Sequence, residues 1–126
     1  MTQLRVVLTV DDFDQALRFY RDTLGLEQTA DWTSDEGRVV LLEAGRATIE
    51  LFDEAQADYV DRIEAGRRVS GPVRLAMEVD DSEQTARSLA AAGTEQEADP
   101  VKPPWGGRNV RMRTPDGLQL TLFTES

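Results

Sequence analysis

The sequence has 126 residues, 40% hydrophobic and 30% charged, with 14 Lys and Arg against 24 Asp and Glu for a formal net charge of −10. It contains no histidine and no cysteine, which excludes Ser-His-Asp and Cys-His nucleophile systems, disulfide frameworks and the ordinary imidazole–thiolate zinc site. The negative charge repels phosphate backbones and anionic lipid, so neither nucleic acid nor membrane is expected as a partner.

Leu4-Arg5-Val6-Val7-Leu8-Thr9-Val10 is a β-branched apolar run and predicts a well-buried strand. The chain enters it at once, with no basic-then-apolar signal layout, and a cytoplasmic location is the expectation. Asp12 stands as a helix N-cap with Gln15 three residues on. Phe13, Ala16, Leu17, Tyr20 and Leu24 then recur at helical spacing up to Gly25, and Phe19 and Tyr20 are expected in the core. Strands are predicted near 26–33, 37–43 and 46–52, separated by Ser34-Asp35-Glu36-Gly37 and Ala44-Gly45. A connecting helix is predicted over about 54–66, from Ala57, Val60, Ile63 and Tyr59 at roughly helical spacing.

After the turn-forming segment Arg67–Pro72 the pattern starts again. Val73–Val79 is a strand, Asp81 with Gln84 repeats the cap, and Ala86, Leu89 and Ala90 form the helical stripe that Gly93 ends. Strands follow near 95–98, 108–113 and 118–123. A shift of 69 carries Arg5, Val10, Asp11, Asp12, Gln15 and Arg18 onto Arg74, Val79, Asp80, Asp81, Gln84 and Arg87. Ile49-Glu50-Leu51-Phe52 likewise parallels Leu120-Thr121-Leu122-Phe123. A repeat of this length indicates two copies of one β-α-β-β-β unit, neither able to bury its sheet alone. Lys102, the only lysine, lies in a proline-flanked loop and is a weak candidate for Schiff-base chemistry.

Two such units resemble the vicinal-oxygen-chelate superfamily, which includes glyoxalase I, extradiol dioxygenases and bleomycin-resistance proteins. The residues that carry the likeness are Val7–Asp12 with Phe19-Tyr20 and Leu24-Gly25-Leu26, Arg74–Asp81, and Trp105-Gly106-Gly107-Arg108 leading to Thr114-Pro115-Asp116-Gly117. The last of these is similar to the closing hairpin of the bleomycin-resistance-like branch. The resemblance implies an α+β fold, two βαβββ modules forming a cupped mixed sheet with helices outside. It covers one domain, 1–126, with module one about 1–53, the connecting helix about 54–66 and module two about 72–126. It also implies a homodimer with the cup near the subunit interface.

In metal-dependent relatives the ligands come from the first and last strands of each module. Here those positions carry Arg5, Glu50, Arg74 and Thr121. A guanidinium cannot become a ligand and repels a divalent ion, so no metal and no cofactor are expected. Arg5 and Glu50, on neighbouring strands, are expected to form a charge-assisted pair that serves either as a structural tie or as a ligand contact. Such a pair lowers the pKa of Glu50 and makes it a poor base. Arg5 and Arg74 around one carboxylate leave a positive spot suited to an anionic ligand.

Trp105, in Pro103-Pro104-Trp105-Gly106-Gly107, offers a stacking face on a bent loop, and Trp32 lies in a strand with little other apolar content. The Asp11-Asp12 and Asp80-Asp81 pairs are explained by capping, not metal binding. The expected ligand-binding set is therefore Arg5, Trp32, Glu50, Arg74, Trp105 and Thr121, with no catalytic residue assigned. The function expected is metal-free sequestration of an aromatic or anionic compound, with antibiotic resistance as one such role. The alternatives are a metal-dependent lyase, isomerase or dioxygenase of the same superfamily, and an accessory domain whose cup is filled by side chains.

Overall fold

The computed structural model describes residues 1–125. Module one runs β1 (Gln3–Thr9), α1 (Phe13–Leu17), β2 (Gln28–Asp31), β3 (Val39–Ala44) and β4 (Ala47–Phe52). The linking helix α2 (Glu54–Ala65) leads into β5 (Val73–Glu78), α3 (Ser82–Ala91), β6 (Glu95–Gln96), β7 (Arg108–Arg113) and β8 (Gln119–Thr124). The expected β-α-β-β-β order thus occurs twice. Among the described residues no helix is long and apolar enough to cross a membrane.

All eight strands form one mixed sheet in the order β2-β3-β4-β1-β5-β8-β7-β6. The first strands of the two modules meet antiparallel at its centre, and each pairs parallel with the last strand of its own module. The central register sets Val6 opposite Leu75, and these two residues are themselves related by the shift of 69. A pseudo-two-fold axis therefore passes through that pair. The same operation carries the Val7–Glu50 pairing onto the Ala76–Thr121 pairing.

Alternation along each strand then sorts the residues by face. On one face Phe13 and Leu17 of α1 pack against Val40, Leu42 and Leu51, and Ala86 of α3 packs against Val110, Met112, Leu120 and Leu122. On the other face α2 lays Ala57 and Val60 against Val7, Val39 and Phe52. Each helix has an aspartate N-cap: Asp12, Asp53 and Asp81 accept from the backbone N–H of Gln15, Gln56 and Gln84 at 3.0, 2.8 and 3.0 Å. The capping reading of Asp12 and Asp81 holds.

The first helix departs from its predicted course. After five α-helical residues it widens into a π-helical segment, Arg18–Thr23, with the Leu24 N–H donating to the Phe19 carbonyl at 2.8 Å. The wider turn breaks the 3.6-residue period on which the core expectation rests. Tyr20 still reaches the core cluster, but Phe19 is 51% exposed and packs edge-on against Tyr20. Placing Phe19 in the core is thereby corrected.

What clamps α2 to the sheet is polar. Asp61, fully buried, accepts from Arg74 Nη1 at 2.7 Å, Arg111 Nη1 at 2.9 Å, and the Val69 and Ser70 backbone N–H groups at 2.9 and 2.7 Å. Glu64, one turn on, accepts from Arg111 Nη2 at 2.6 Å, Asn109 Nδ2 at 2.8 Å and the Thr121 hydroxyl at 2.8 Å. Burial pushes the Asp61 carboxyl up, but the two guanidinium groups and the two backbone donors outweigh it and hold it down at about 2.

Asp61→Asn leaves two buried guanidinium groups short of a counter-charge, and a loss of about 3–5 kcal/mol is expected in urea unfolding. Because the folded-state pKa lies below the unfolded value of 3.8, the carboxylate's contribution is complete above about pH 4 and lost as the pH falls through about 2. The difference between wild type and variant should therefore shrink only in that acid window.

Candidate functional site

Between the α2 face of the sheet and the loop around residues 104–107 lies a cavity of about 680 Å³. All six residues singled out from the sequence line it: Arg5, Trp32, Glu50, Arg74, Trp105 and Thr121. The register explains why they converge. Glu50, Val7 and Arg74 form one row across β4, β1 and β5, and Arg5, Ala76 and Thr121 form a second across β1, β5 and β8.

The four floor residues behave differently once their partners are known. Arg74 is 2% exposed, bonded to Asp61 and stacked over the Phe52 ring at 4.9 Å. The Thr121 hydroxyl points into the network, donating to Glu64. Arg5 Nε donates to Gln3 Oε1 at 2.6 Å, and its guanidinium carbon lies over the rings of Trp32 and Phe123 at 5.4 and 4.9 Å. Glu50 is 8% exposed, and among the described residues no hydrogen bond reaches its carboxyl group.

Two expectations are corrected here. Arg5 and Glu50 do not pair: β1 and β4 set Arg5 opposite Thr48, and Glu50 opposite Val7, while Gln3 and the two rings hold the guanidinium elsewhere. Nor is the pKa of Glu50 lowered. Burial raises it to about 7, against the pull of Arg5 and Arg74 and with a small push from Glu64. Without a direct bond, Coulomb attraction does not match the lost hydration.

The walls are aromatic. Trp105 stands 6.0 Å from Tyr59 of α2, ring centre to ring centre. Trp32 and Trp105 are 47% and 50% exposed, as residues at a rim are. Gly107 shapes the Trp105 loop: its φ is +78°, and a Cβ there would come within 2.5 Å of the Thr124 carbonyl oxygen.

Glu64, Asp61, Arg111 and the wall role of Tyr59 are absent from the sequence-derived set. A signal for the carboxylates exists, since Asp61 and Glu64 continue the Ala57–Val60 stripe at helical spacing and so share the buried face. Arg111 shares the cavity face of β7 with Asn109 by alternation, opposite Thr121.

The donor chemistry does not suit the divalent ion that the fold implies. Of the four converging positions two are permanent cations, and the Thr121 hydroxyl is already donating to Glu64. Glu50 is the single anionic oxygen donor of the set. Among the described residues no group of three or more Asp or Glu side chains is arranged to hold a metal.

Residues 2–122 match the family described as the Glyoxalase/Bleomycin resistance protein/Dioxygenase superfamily. The chain is 30% identical over 129 residues to the uncharacterized protein YraH of Bacillus subtilis (strain 168), covering 98% of each. It is 31% identical over 130 residues to a lactoylglutathione lyase of Haemophilus influenzae, covering 98% of this chain and 92% of that one. Its fold matches the crystal structure of methylmalonyl-CoA epimerase from Mycobacterium tuberculosis with a TM-score of 0.70 at 23% identity, over 99% of this chain and 89% of that one. That last likeness concerns the fold alone.

The raised pKa of Glu50 has a stability consequence with a definite sign. Its folded value of about 7 exceeds the ordinary 4.5, so the folded state holds the proton more tightly and stability falls as pH rises from about 4.5 to 7. Glu50→Gln removes the titration. Thermal unfolding should show the variant close to wild type at pH 4.5 and more stable by about 3 kcal/mol at pH 8. Parallel pH profiles for the two proteins would contradict the assignment.

Proposed function

The chain belongs to the glyoxalase/bleomycin resistance protein/dioxygenase superfamily, and from that premise we propose that it is a metal-free binding protein of the bleomycin-resistance type. On this reading it acts as a single domain, cytoplasmic and homodimeric. It sequesters a small aromatic or anionic compound without turnover, as an antibiotic-resistance protein would. The observation that carries the reading is the make-up of the cavity: Trp32, Phe52, Tyr59, Trp105 and Phe123 surround it, and Arg5 is the guanidinium left over after Arg74 joins Asp61. Aromatic walls with a few placed polar groups are what a ligand pocket needs. A floor with two cations and one unpaired carboxyl is a poor metal cage but a serviceable anion site.

A second reading keeps the same cavity and adds chemistry. Glu50, with a pKa of about 7 and no hydrogen-bond partner among the described residues, has the properties of a general base at neutral pH. A lyase or isomerase role, like that named for the Haemophilus influenzae relative, would use it. Elemental analysis of purified protein separates the metal-dependent form of this reading: a near-stoichiometric metal that Glu50→Ala abolishes would establish it.

The binding reading is tested by titrating a panel of aromatic carboxylates, phenolates and neutral aromatics while following tryptophan fluorescence. At least one should give a saturable response and be recovered unchanged by chromatography after prolonged incubation. Trp105→Ala should weaken that ligand about tenfold. Steady consumption of the bound compound would favour the enzymatic reading instead.

A further inference from the structure

The three arginines on the cavity face of the sheet are not equivalent. Arg74 and Arg111 are ion-paired with Asp61 and Glu64, although the Arg74 Nε itself has no hydrogen-bond partner among the described residues. Arg5 uses one of its five N–H groups on Gln3, and its Nη groups have no hydrogen-bond partner among the described residues. One carboxylate comes within 4 Å: Glu125 Oε1 lies 3.7 Å from Arg5 Nη2, just beyond hydrogen-bond length. Arg5 is itself largely enclosed, its side chain 17% exposed, whereas the Glu125 side chain is 65% exposed on the tail that follows β8. Both residues line the cavity.

Two rings and a glutamine fix this guanidinium. With Trp32 and Phe123 against it and Nε tied to Gln3, it loses little further freedom when a partner arrives. A planar fork with open Nη donors matches a carboxylate, which accepts two parallel hydrogen bonds. The neighbouring charges select further. Glu50 and Glu64 line the same cavity, so a dianion such as a phosphate monoester meets more repulsion than a monoanion of the same size. The ring system of Tyr59 and Trp105 on the wall suits an aromatic body.

We infer that Arg5 is the receptor for the carboxylate of an aromatic monocarboxylic acid, and that Glu125 is the protein's own competitor for it, held beside the fork until the ligand displaces it. This rests on the binding reading above and narrows it to one ligand class. The tail glutamate screens Arg5 in the empty cavity and sets a threshold that a ligand with one hydrogen-bonding carboxylate and a stacking ring can exceed.

The test is isothermal titration of the full chain with 2-naphthoate and with its neutral isostere 2-naphthamide. Wild type should bind the carboxylate at least about tenfold more tightly than the amide, the scale of hydrogen bonds to a charged group. Arg5→Gln should erase the difference. Arg5→Lys, which keeps the charge but not the fork and guards against a folding defect, should restore only part of it. Glu125→Gln, on the exposed tail, should strengthen 2-naphthoate about two- to fivefold, as loss of an exposed ion pair allows, and leave 2-naphthamide unchanged. Equal affinity for the two probes in wild type would overturn the carboxylate assignment while leaving a cavity that binds aromatics. Unchanged or weaker 2-naphthoate binding in Glu125→Gln would overturn the competitor role. No saturable binding of either probe would overturn the binding reading itself and this inference with it.

Discussion

The arrangement of the cavity depends on two carboxylates, Asp61 and Glu64, being buried against two guanidinium groups, Arg74 and Arg111. Few apolar residues of α2 reach the sheet, chiefly Ala57 and Val60, and this contact alone is small for a helix that roofs a cavity. The ionic network supplies the rest. Desolvating four charges offsets most of their mutual attraction, so the network adds more to position than to net stability. Position is what the cavity requires: α2 carries Tyr59 and Gln56 on its wall, and a helix free to slide would close or open it.

The same network breaks the symmetry of the two modules. Arg5 and Arg74 are equivalent by the pseudo-two-fold, as are Glu50 and Thr121, yet α2 exists once and lies to one side. It binds the module-two members, taking Arg74 and Thr121 into hydrogen bonds, and makes no such bond to their counterparts, Arg5 and Glu50, among the described residues. The strands next in line differ accordingly. Leu41 pairs with Glu50 where Arg111 pairs with Thr121, so module one offers an aliphatic neighbour and module two a cation. An isolated carboxyl beside Leu41 and Val7 is poorly solvated, and this is the physical origin of the raised pKa of Glu50.

The architecture was legible in the sequence because it rests on short-range rules. Period-two strands, aspartate caps and the shift of 69 are properties of neighbours along the chain, and they carry the element order, whereas the convergence of Arg5, Glu50, Arg74 and Thr121 follows only from the resemblance to the superfamily. What escaped were properties of particular distances. The apolar stripe of α2 hides Asp61 and Glu64 because charged residues on a single helix ordinarily face water. Coulomb attraction alone would bring Arg5 to Glu50 across adjacent strands, but Gln3, Trp32 and Phe123 compete for the guanidinium and hold it. The π-helical widening after Leu17 is not visible in the apolar spacing, and it turns Phe19 out of the core.

The charge inventory also limits what this version of the fold can bind. A divalent ion requires several anionic oxygens aimed at one point. Among the described residues the buried acidic ones are Glu50, Asp61 and Glu64, but two of them are bonded to guanidinium groups whose own burial they make tolerable. Withdrawing either one to ligate a metal would leave a buried cation unpaired, so the scaffold and a metal site compete for the same anions. The competition is settled in favour of the scaffold by the short Asp61–Arg74 and Glu64–Arg111 contacts of 2.7 and 2.6 Å. Among the described residues Arg5 is then the cavity cation with no hydrogen-bonded carboxylate, its near one being the exposed Glu125 at 3.7 Å, and a group that complements it more fully brings its own negative charge.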